Sequence, residues 1–251
     1  KQMKRRIINI VSYEKPTFIK RIKGMTAFLL TAVVLMGFAP FISTYAADVS
    51  HYQWDSSSEN VSYINLSTYF GEYEGSFVLY DSENDTWSIH DIEHATLRVA
   101  PNSTYKIYDA LFGLEEGVIT PENSFIAWNG ETYPFEAWNA DQTLQSAMNS
   151  SVNWYFQTVD EQLGASDVYS YVQKIGYGNE NMSGDFSSYW MESSLEISPI
   201  EQVELLTKLQ NNSFGFAPEN INAVKDAIRL SSSDTGCLLY TSPSPRDRSV
   251  S

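Results

Sequence analysis

The feature that most constrains this chain is an uncharged apolar run of 23 residues, Met25 to Ala47. At about 1.5 Å of rise per residue, such a run is long enough as a helix to cross a hydrocarbon core of about 30 Å. Residues 1–24 carry eight basic side chains and one acidic side chain, so the positive-inside rule predicts a cytoplasmic N-terminus. A cleaved signal peptide is the alternative interpretation. Both interpretations export the rest of the chain.

These signals predict a linear organisation. We expect a cytoplasmic basic segment at residues 1–24, a transmembrane helix at 25–47, a linker at 48–74 and one exported domain at 75–236. The net charge is −15 for the whole chain and +7 for residues 1–24, which leaves −22 for the rest. A charge of that sign disfavours nucleic acid as a partner. The single cysteine, Cys237, excludes an internal disulfide, so an apolar core must hold the exported domain together.

The exported domain begins with a β-hairpin pattern. Two β-prone runs, Ser76–Tyr80 and Thr86–His90, flank the turn-forming residues Asp81 to Asp85. Thr96–Val99 is a candidate third strand.

Most of the following sequence has apolar residues at the spacing of an α-helix. The predicted helices are Ser103–Leu114, Leu144–Leu163, Ala165–Ile175 and Pro199–Leu209, and residues 121–139 read as a loop. Strands followed by a helical block predict an α+β fold, which later strands commonly complete. The last fifteen residues, 237–251, lack periodicity, and we expect them to be non-native sequence that leaves the domain incomplete.

A Ser and a Lys stand three residues apart at the start of the first long helix. Ile107, Ala110, Leu111 and Leu114 define its apolar stripe, and Ser103 and Lys106 extend that stripe toward the N-terminus. Residues at this spacing are surface neighbours on a helix. A Lys amine can activate a Ser hydroxyl as a nucleophile, provided that burial suppresses the ammonium form at a cost of roughly 4 kcal/mol.

The same two residues also permit a purely structural interpretation. Ser103 can be a helix N-cap and Lys106 a surface side chain with a buried stem. The pattern recurs as Ser12 to Lys15 on the basic side of the apolar run. The pair therefore needs further motifs to support a catalytic role.

Three further motifs follow this pair along the chain. They are Ser151-Val152-Asn153, Tyr177-Gly178-Asn179 and Trp190. Together with Ser103–Lys106, they stand in the order found in the penicillin-recognising serine enzymes. The region from about residue 75 to 230 resembles the class D β-lactamases and the sensor domains of BlaR/MecR-type receptors. Taken singly, each has a structural alternative as a helix cap, a turn or a core residue.

The resemblance implies a role for each of these residues. Ser103 would be acylated by a β-lactam, with Lys106 as its base, either neutral or N-carboxylated by CO2 and without any other cofactor. Ser151 would relay a proton, and Asn153 would face the ligand. Tyr177, Gly178, Asn179 and Trp190 would support the site, with Trp190 donating to a carboxylated Lys106.

Three features resemble the receptors more than the hydrolases. They are the sequences of residues 128–139 and 151–157, Asn153 where class D enzymes typically have Val, and the basic segment before the apolar run. The resemblance implies an extracellular β-lactam sensor on a cell membrane, acylated without efficient turnover, that signals to a cytoplasmic zinc protease domain of the same receptor. A membrane-anchored or secreted class D-like β-lactamase, a transpeptidase and a non-catalytic cell-wall binding module are the alternatives.

Two family features are missing from the sequence. There is no Lys-Thr-Gly triad, which we interpret as lost with the native C-terminus, and no His-Glu-x-x-His zinc-protease motif. His90 and His94 have the spacing of a zinc pair on a helix, but His90 ends a predicted strand. We therefore predict no metal site.

Overall fold

The computed structural model describes residues 50–233 and 236–239, with side chains as far as Arg229. These residues all belong to one compact unit, residues 49–251. The predicted cytoplasmic segment and the predicted transmembrane helix lie outside the described residues. Within the described part of the chain, no helix is both long enough and apolar enough to cross a bilayer.

A three-stranded sheet forms one side of the domain. Its strands are β1 (Val61–Tyr63), β2 (Phe77–Asp81) and β3 (Thr86–His90), in the order β1-β3-β2. The β2 and β3 strands are antiparallel, so the predicted hairpin is confirmed. The Asp81 carboxylate stabilises the turn by accepting from the backbone N–H groups of Glu83 and Asn84.

The described part of the predicted linker, residues 48–74, is instead built into this domain. Strand β1 pairs in parallel with β3, and a short helix α1 (Ser67–Phe70) follows it. His51 forms a β-bridge with Leu97. The linker prediction rested on the polar composition of this segment. It was wrong because the three residues of β1, Val61–Tyr63, are enough to pair with the open edge of β3.

The predicted third strand, Thr96–Val99, is not a strand of the sheet. Thr96 ends helix α2 (Ile92–Thr96), and the next residues form only isolated bridges, from Leu97 to His51 and from Val99 to Ile197. The edge of β3 is already occupied by β1.

Among the described residues, six longer helices follow the sheet. They are α3 (Lys106–Glu115), α4 (Leu144–Ser150), α5 (Asn153–Leu163), α6 (Ala165–Ile175), α7 (Pro199–Gln210) and α8 (Pro218–Ala227). Helix α3 is central, and every residue from Lys106 to Leu114 is buried. It packs closely on α5, since a Cβ on Gly113 would stand 2.5 Å from Val159 Cγ1. Strands and helices together confirm the α+β class.

The predicted helix Leu144–Leu163 is in fact two helices. The chain breaks at Ser151, which has a left-handed backbone with φ of 53°, and α5 starts at Asn153. Helix α8 was not predicted, although Pro218 at its start is a common helix signal.

Beyond α8, strands β4 (Arg229–Ser233) and β5 (Gly236–Leu239) form an antiparallel pair. Residues 237–239 of the predicted non-native tail lie in β5, and residues 240–251 lie outside the described part of the chain.

Candidate active site

Ser103 lies in a 3₁₀ turn, Asn102–Tyr105, that leads directly into α3. Its side chain is 4 % exposed, and its Oγ lies 2.8 Å from Ser151 Oγ. The backbone of Asn102 donates to Trp190 O, and Asn102 itself has φ of 49°. The turn before α3 therefore holds the hydroxyl against the break between α4 and α5.

Lys106 is the first residue of α3 and is fully buried. Its Nζ lies 3.2 Å from Ser103 Oγ and 2.7 Å from Ser151 Oγ. Two more oxygens surround it, Ser151 O at 2.9 Å and Asn153 Oδ1 at 2.6 Å. Four of the eight predicted site residues thus converge on one point.

The break between α4 and α5 explains why Ser151 and Asn153 both reach this point. A left-handed residue turns the chain sharply, so the side chain and carbonyl of Ser151 can both approach the lysine. A non-glycine residue in this conformation costs on the order of 1–3 kcal/mol. A continuous helix would separate these groups.

The contacts around Lys106 form a complete proton path when the lysine is a neutral amine. A neutral amine has two N–H donors and one lone pair. The donors suit Ser151 O and Asn153 Oδ1, which only accept. The lone pair then accepts from the Ser151 hydroxyl, and the Ser103 hydroxyl donates to Ser151 Oγ. Loss of the Ser103 proton through Ser151 to Lys106 leaves no group unpaired.

Tyr177, Gly178 and Asn179 lie behind this cluster and do not contact it. The Tyr177 ring is fully buried against Tyr105 and Tyr108, and its hydroxyl accepts from Gln202. The Asn179 amide donates to Ser194 O and accepts from the backbone N–H of Glu196. These three residues act as a partly buried turn that fixes the loop carrying Trp190.

Trp190 lies beside the lysine. The centre of its fully buried ring system is 5.4 Å from Lys106 Nζ, and Phe156 flanks the same atom at 5.6 Å. Among the described residues, Trp190 Nε1 has no hydrogen-bond partner. An unpaired buried donor is costly, so this indole marks a position where an acceptor would be stabilised.

The sequence analysis missed two buried acids next to the site. Asp109 follows Lys106 by one turn of α3, and Asp160 lies on α5; both are buried. Burial raises the pKa of Asp109 well above its usual range, and the neighbouring Asp160 charge raises it further. Burial raises the pKa of Asp160 to about 7. The signal in the sequence was an acidic residue on the buried face of an apolar helix.

The residues around Lys106 fit a free amine better than an N-carboxylated lysine. A carbamate is an anion and needs hydrogen-bond donors. Ser151 O and Asn153 Oδ1 are acceptors, and Asp109 lies one turn away. Apart from the Ser103 and Ser151 hydroxyls, Trp190 Nε1 is the one fitting donor that we identify among the described residues.

The two histidines predicted not to bind metal have separate partners. His90 Nδ1 lies 3.3 Å from Ile64 O, and His94 Nδ1 lies 2.7 Å from Asp91 Oδ2. In the described part of the chain, no three His, Cys, Asp or Glu side chains are placed to hold a metal ion.

Comparison with known proteins identifies the family. The family model described as penicillin binding protein transpeptidase domain matches residues 75–249. Regulatory protein BlaR1 of Bacillus licheniformis is 39% identical over 236 residues, which cover 93% of this chain and 39% of that protein. The chain therefore spans about two fifths of the length of such curated relatives.

Solved structures give the same result. The C-terminal domain of the Bacillus licheniformis BlaR penicillin-receptor has a TM-score of 0.68 and 44% identity, covering 70% of this chain and 72% of that one. A class D β-lactamase from Bacillus subtilis has a TM-score of 0.66 and 33% identity, covering 68% and 72%. The resemblance inferred from the motifs is confirmed, and the chain belongs to the family of penicillin binding protein transpeptidase domains.

Proposed function

We propose that this domain is the β-lactam sensor of a membrane-bound resistance signal transducer and that it is acylated at Ser103. The observation that carries the proposal is the hydrogen-bonded cluster of Ser103, Ser151 and Lys106, buried in a fold similar to the BlaR receptor domain. A buried hydroxyl with a proton path to an amine is the arrangement that a serine nucleophile requires.

Acylation needs only groups already in place. Ser103 Oγ bonds to the lactam carbonyl carbon while its proton passes through Ser151 to Lys106. The carbon–nitrogen bond of the lactam then breaks, and the departing nitrogen takes up that proton. No water is consumed, and the product is an ester on Ser103.

Asn153 explains why this ester would persist. Its Oδ1 lies 2.6 Å from Lys106 Nζ, and its Nδ2 lies 3.1 Å from Met191 Sδ, which holds the amide in place. While Asn153 accepts from Lys106, the lone pair of the amine stays directed at Ser151, so it is poorly placed to take a proton from a water molecule that attacks the ester. Slow hydrolysis suits a sensor, because one antibiotic molecule then gives one lasting signal.

The remaining parts of this proposal concern the whole receptor. The domain would face the outside of the cell, anchored by a single span at residues 25–47 in this fragment. A cytoplasmic zinc protease domain of the same receptor would receive the signal. The similarity to BlaR1 over 93% of this chain supports both statements.

Mass spectrometry of the full chain with benzylpenicillin tests the function. We expect one adduct per molecule, stable for hours, that Ser103→Ala abolishes and Ser58→Ala, a control on the surface, retains. Digestion should place the added mass on the peptide containing Ser103. Absence of any adduct on folded protein would contradict the proposal.

A class D-like β-lactamase is the second candidate, favoured by the similarity to the Bacillus subtilis enzyme. The two functions differ in how long the ester lasts. Many turnovers of a chromogenic cephalosporin per molecule would support the hydrolase. A single burst equal to the protein concentration would support the sensor.

A further inference from the structure

Two carboxyl groups are buried against each other below the active-site lysine. Asp109 is fully buried and Asp160 is 2 % exposed. The charge of Asp160 raises the pKa of Asp109, and Asp109 lies close enough to lower the pKa of Asp160. Both Asp109 oxygens and Asp160 Oδ2 have no donor among the described residues, and Asp160 Oδ1 accepts from Tyr189 at 3.2 Å.

Two ionised carboxylates cannot remain together in such a place. Ionised carboxyl groups only accept hydrogen bonds, so each would leave oxygens unpaired and repel the other. One added proton turns a carboxyl group into a donor for its neighbour. That single proton removes the repulsion and pairs the oxygens.

The groups around the pair indicate where the proton resides. Asp160 faces the Tyr189 hydroxyl, and the Trp190 indole lies close enough to lower its pKa. Asp109 has no such donor and lies near Tyr105, Tyr155 and Tyr189, which stay neutral. The other charged groups are Lys106, which faces Asp109, and the exposed Glu161, which follows Asp160. The proton therefore favours Asp109, and the charge favours Asp160.

We propose that Asp109 and Asp160 share one proton and keep a single negative charge beside Lys106, and that as positioning residues they favour its ammonium form and oppose its carboxylation. The inference rests on the proposed function, in which Lys106 is the base that accepts the Ser103 proton. The charge acts on Lys106 across Asp109, which faces the lysine from the next turn of α3. It also attracts the N–H of the Trp190 indole, a donor that a carbamate on Lys106 would use.

Asn has nearly the same shape as Asp but carries no charge, so substituting each acid in turn tests separately which one is ionised and which one is protonated. Asp160→Asn removes the charge. Asp109→Asn mimics the protonated acid, since its amide still donates to Asp160, and keeps the charge. Asp167→Asn makes the same change at an exposed position of α6 and is the control.

The first measurement is the pH dependence of acylation by benzylpenicillin in the full chain. Without the charge, Lys106 loses its proton more easily, so Asp160→Asn should acylate about tenfold faster than wild type above about pH 7, where Asp160 is ionised in the wild type. Asp109→Asn and Asp167→Asn should follow the wild-type profile. A shift in Asp109→Asn alone, or no shift in either buried variant, would overturn the assignment.

The second measurement does not depend on acylation. With ¹³C-bicarbonate, the carbamate signal of Lys106 should be several-fold stronger in Asp160→Asn than in wild type, with Lys106→Ala as the blank. An equal or weaker signal would contradict the proposal. If no variant is acylated but the carbamate differs as stated, the proposed function fails and the acid pair stands.

A third measurement uses the wild type, so it tests the shared proton even if Asp160→Asn does not fold. Infrared spectra of the wild type at pH 8 should contain the C=O band of a buried protonated carboxyl group. Asp109→Asn should remove this band, and Asp167→Asn should keep it. A wild type without the band would overturn the shared proton.

Discussion

At the scale of single residues, the site depends on how Lys106 is held. Three oxygens of Ser151 and Asn153 lie within 2.9 Å of its Nζ. Ser151 belongs to the acylation path, whereas Asn153 only accepts from the lysine. The two roles should therefore separate by mutation.

Asn153→Val should shorten the life of the ester without preventing its formation. Loss of one hydrogen bond to a charged or buried amine corresponds to about 1.5–3 kcal/mol, or about 10- to 100-fold in rate. We expect the half-life of the penicillin adduct, followed by mass spectrometry, to fall by that factor. Asn222→Val, on the exposed surface of α8, should leave it unchanged. An unchanged half-life in Asn153→Val would show that Asn153 does not restrain the lysine.

The sequence predicted this cluster in part. Ser103, Lys106, Ser151 and Asn153 were recognised from motif order, and the structure brings them together. Asp109 and Asp160 were missed, because spacing along a helix shows that two residues share a face but not which residues of a distant helix they meet.

At the scale of elements, the turn at residues 176–179 fixes the loop that carries Trp190. Gly176 ends α6 in a left-handed conformation with φ of 67° and open space around it. Gly178 also has a positive φ, but a Cβ there would lie 1.9 Å from Glu196 O. Gly176 is therefore required only for its backbone conformation, whereas Gly178 is also required because a side chain would have no room.

Gly178→Ala should destabilise the domain far more than Gly176→Ala. The second change adds only the cost of a left-handed alanine, about 1–2 kcal/mol. The first adds a collision with backbone, so we expect a loss of about 3 kcal/mol or more in the free energy of unfolding. Urea denaturation of both variants measures the difference. Equal losses would mean that the Glu196 backbone can move aside.

Element boundaries were predicted best where local signals suffice. The hairpin follows from two β-prone runs and an Asp-rich turn, and α6 follows from its apolar spacing between Gly164 and Gly176. The break at Ser151 was missed because a serine carries no local signal for a left-handed backbone. Its conformation closes the end of α4, where its backbone N–H donates to Ala147 O and Met148 O, and the contacts with Lys106 add to it.

At the scale of the whole molecule, the buried acids make stability depend on pH. Burial raises the pKa of Asp160 to about 7, compared with 3.8 for a solvent-exposed aspartate. The pKa of Asp109 and that of Glu204 are also raised, mainly by burial. The folded state then holds protons that the unfolded chain releases, so folding is favoured at low pH.

The free energy of unfolding should therefore fall as the pH rises from about 4 to about 7. Hydrogen bonds lower the pKa values of Asp81 and Asp185, so these two groups make the free energy of unfolding decrease as the pH falls below about 4. Urea denaturation at half-unit steps of pH measures the slope, which Asp160→Asn should flatten. A wild-type stability that rises over this range would contradict the raised pKa values.

The bridge between His51 and Leu97 has a mechanical consequence. Arg98 reinforces this bridge. Its backbone N–H donates to Ser50 O, and its guanidinium forms a hydrogen-bonded ion pair with Glu201 at the start of α7. Leu97 is separated from the nucleophile only by the short stretch that ends at Ser103. A displacement of residues 50–51 would therefore shift residues 97–98, which lie close to Ser103 in the sequence, before it shifted the β2–β3 hairpin. A displacement of Ser103 would be passed to residues 50–51 through the same few residues.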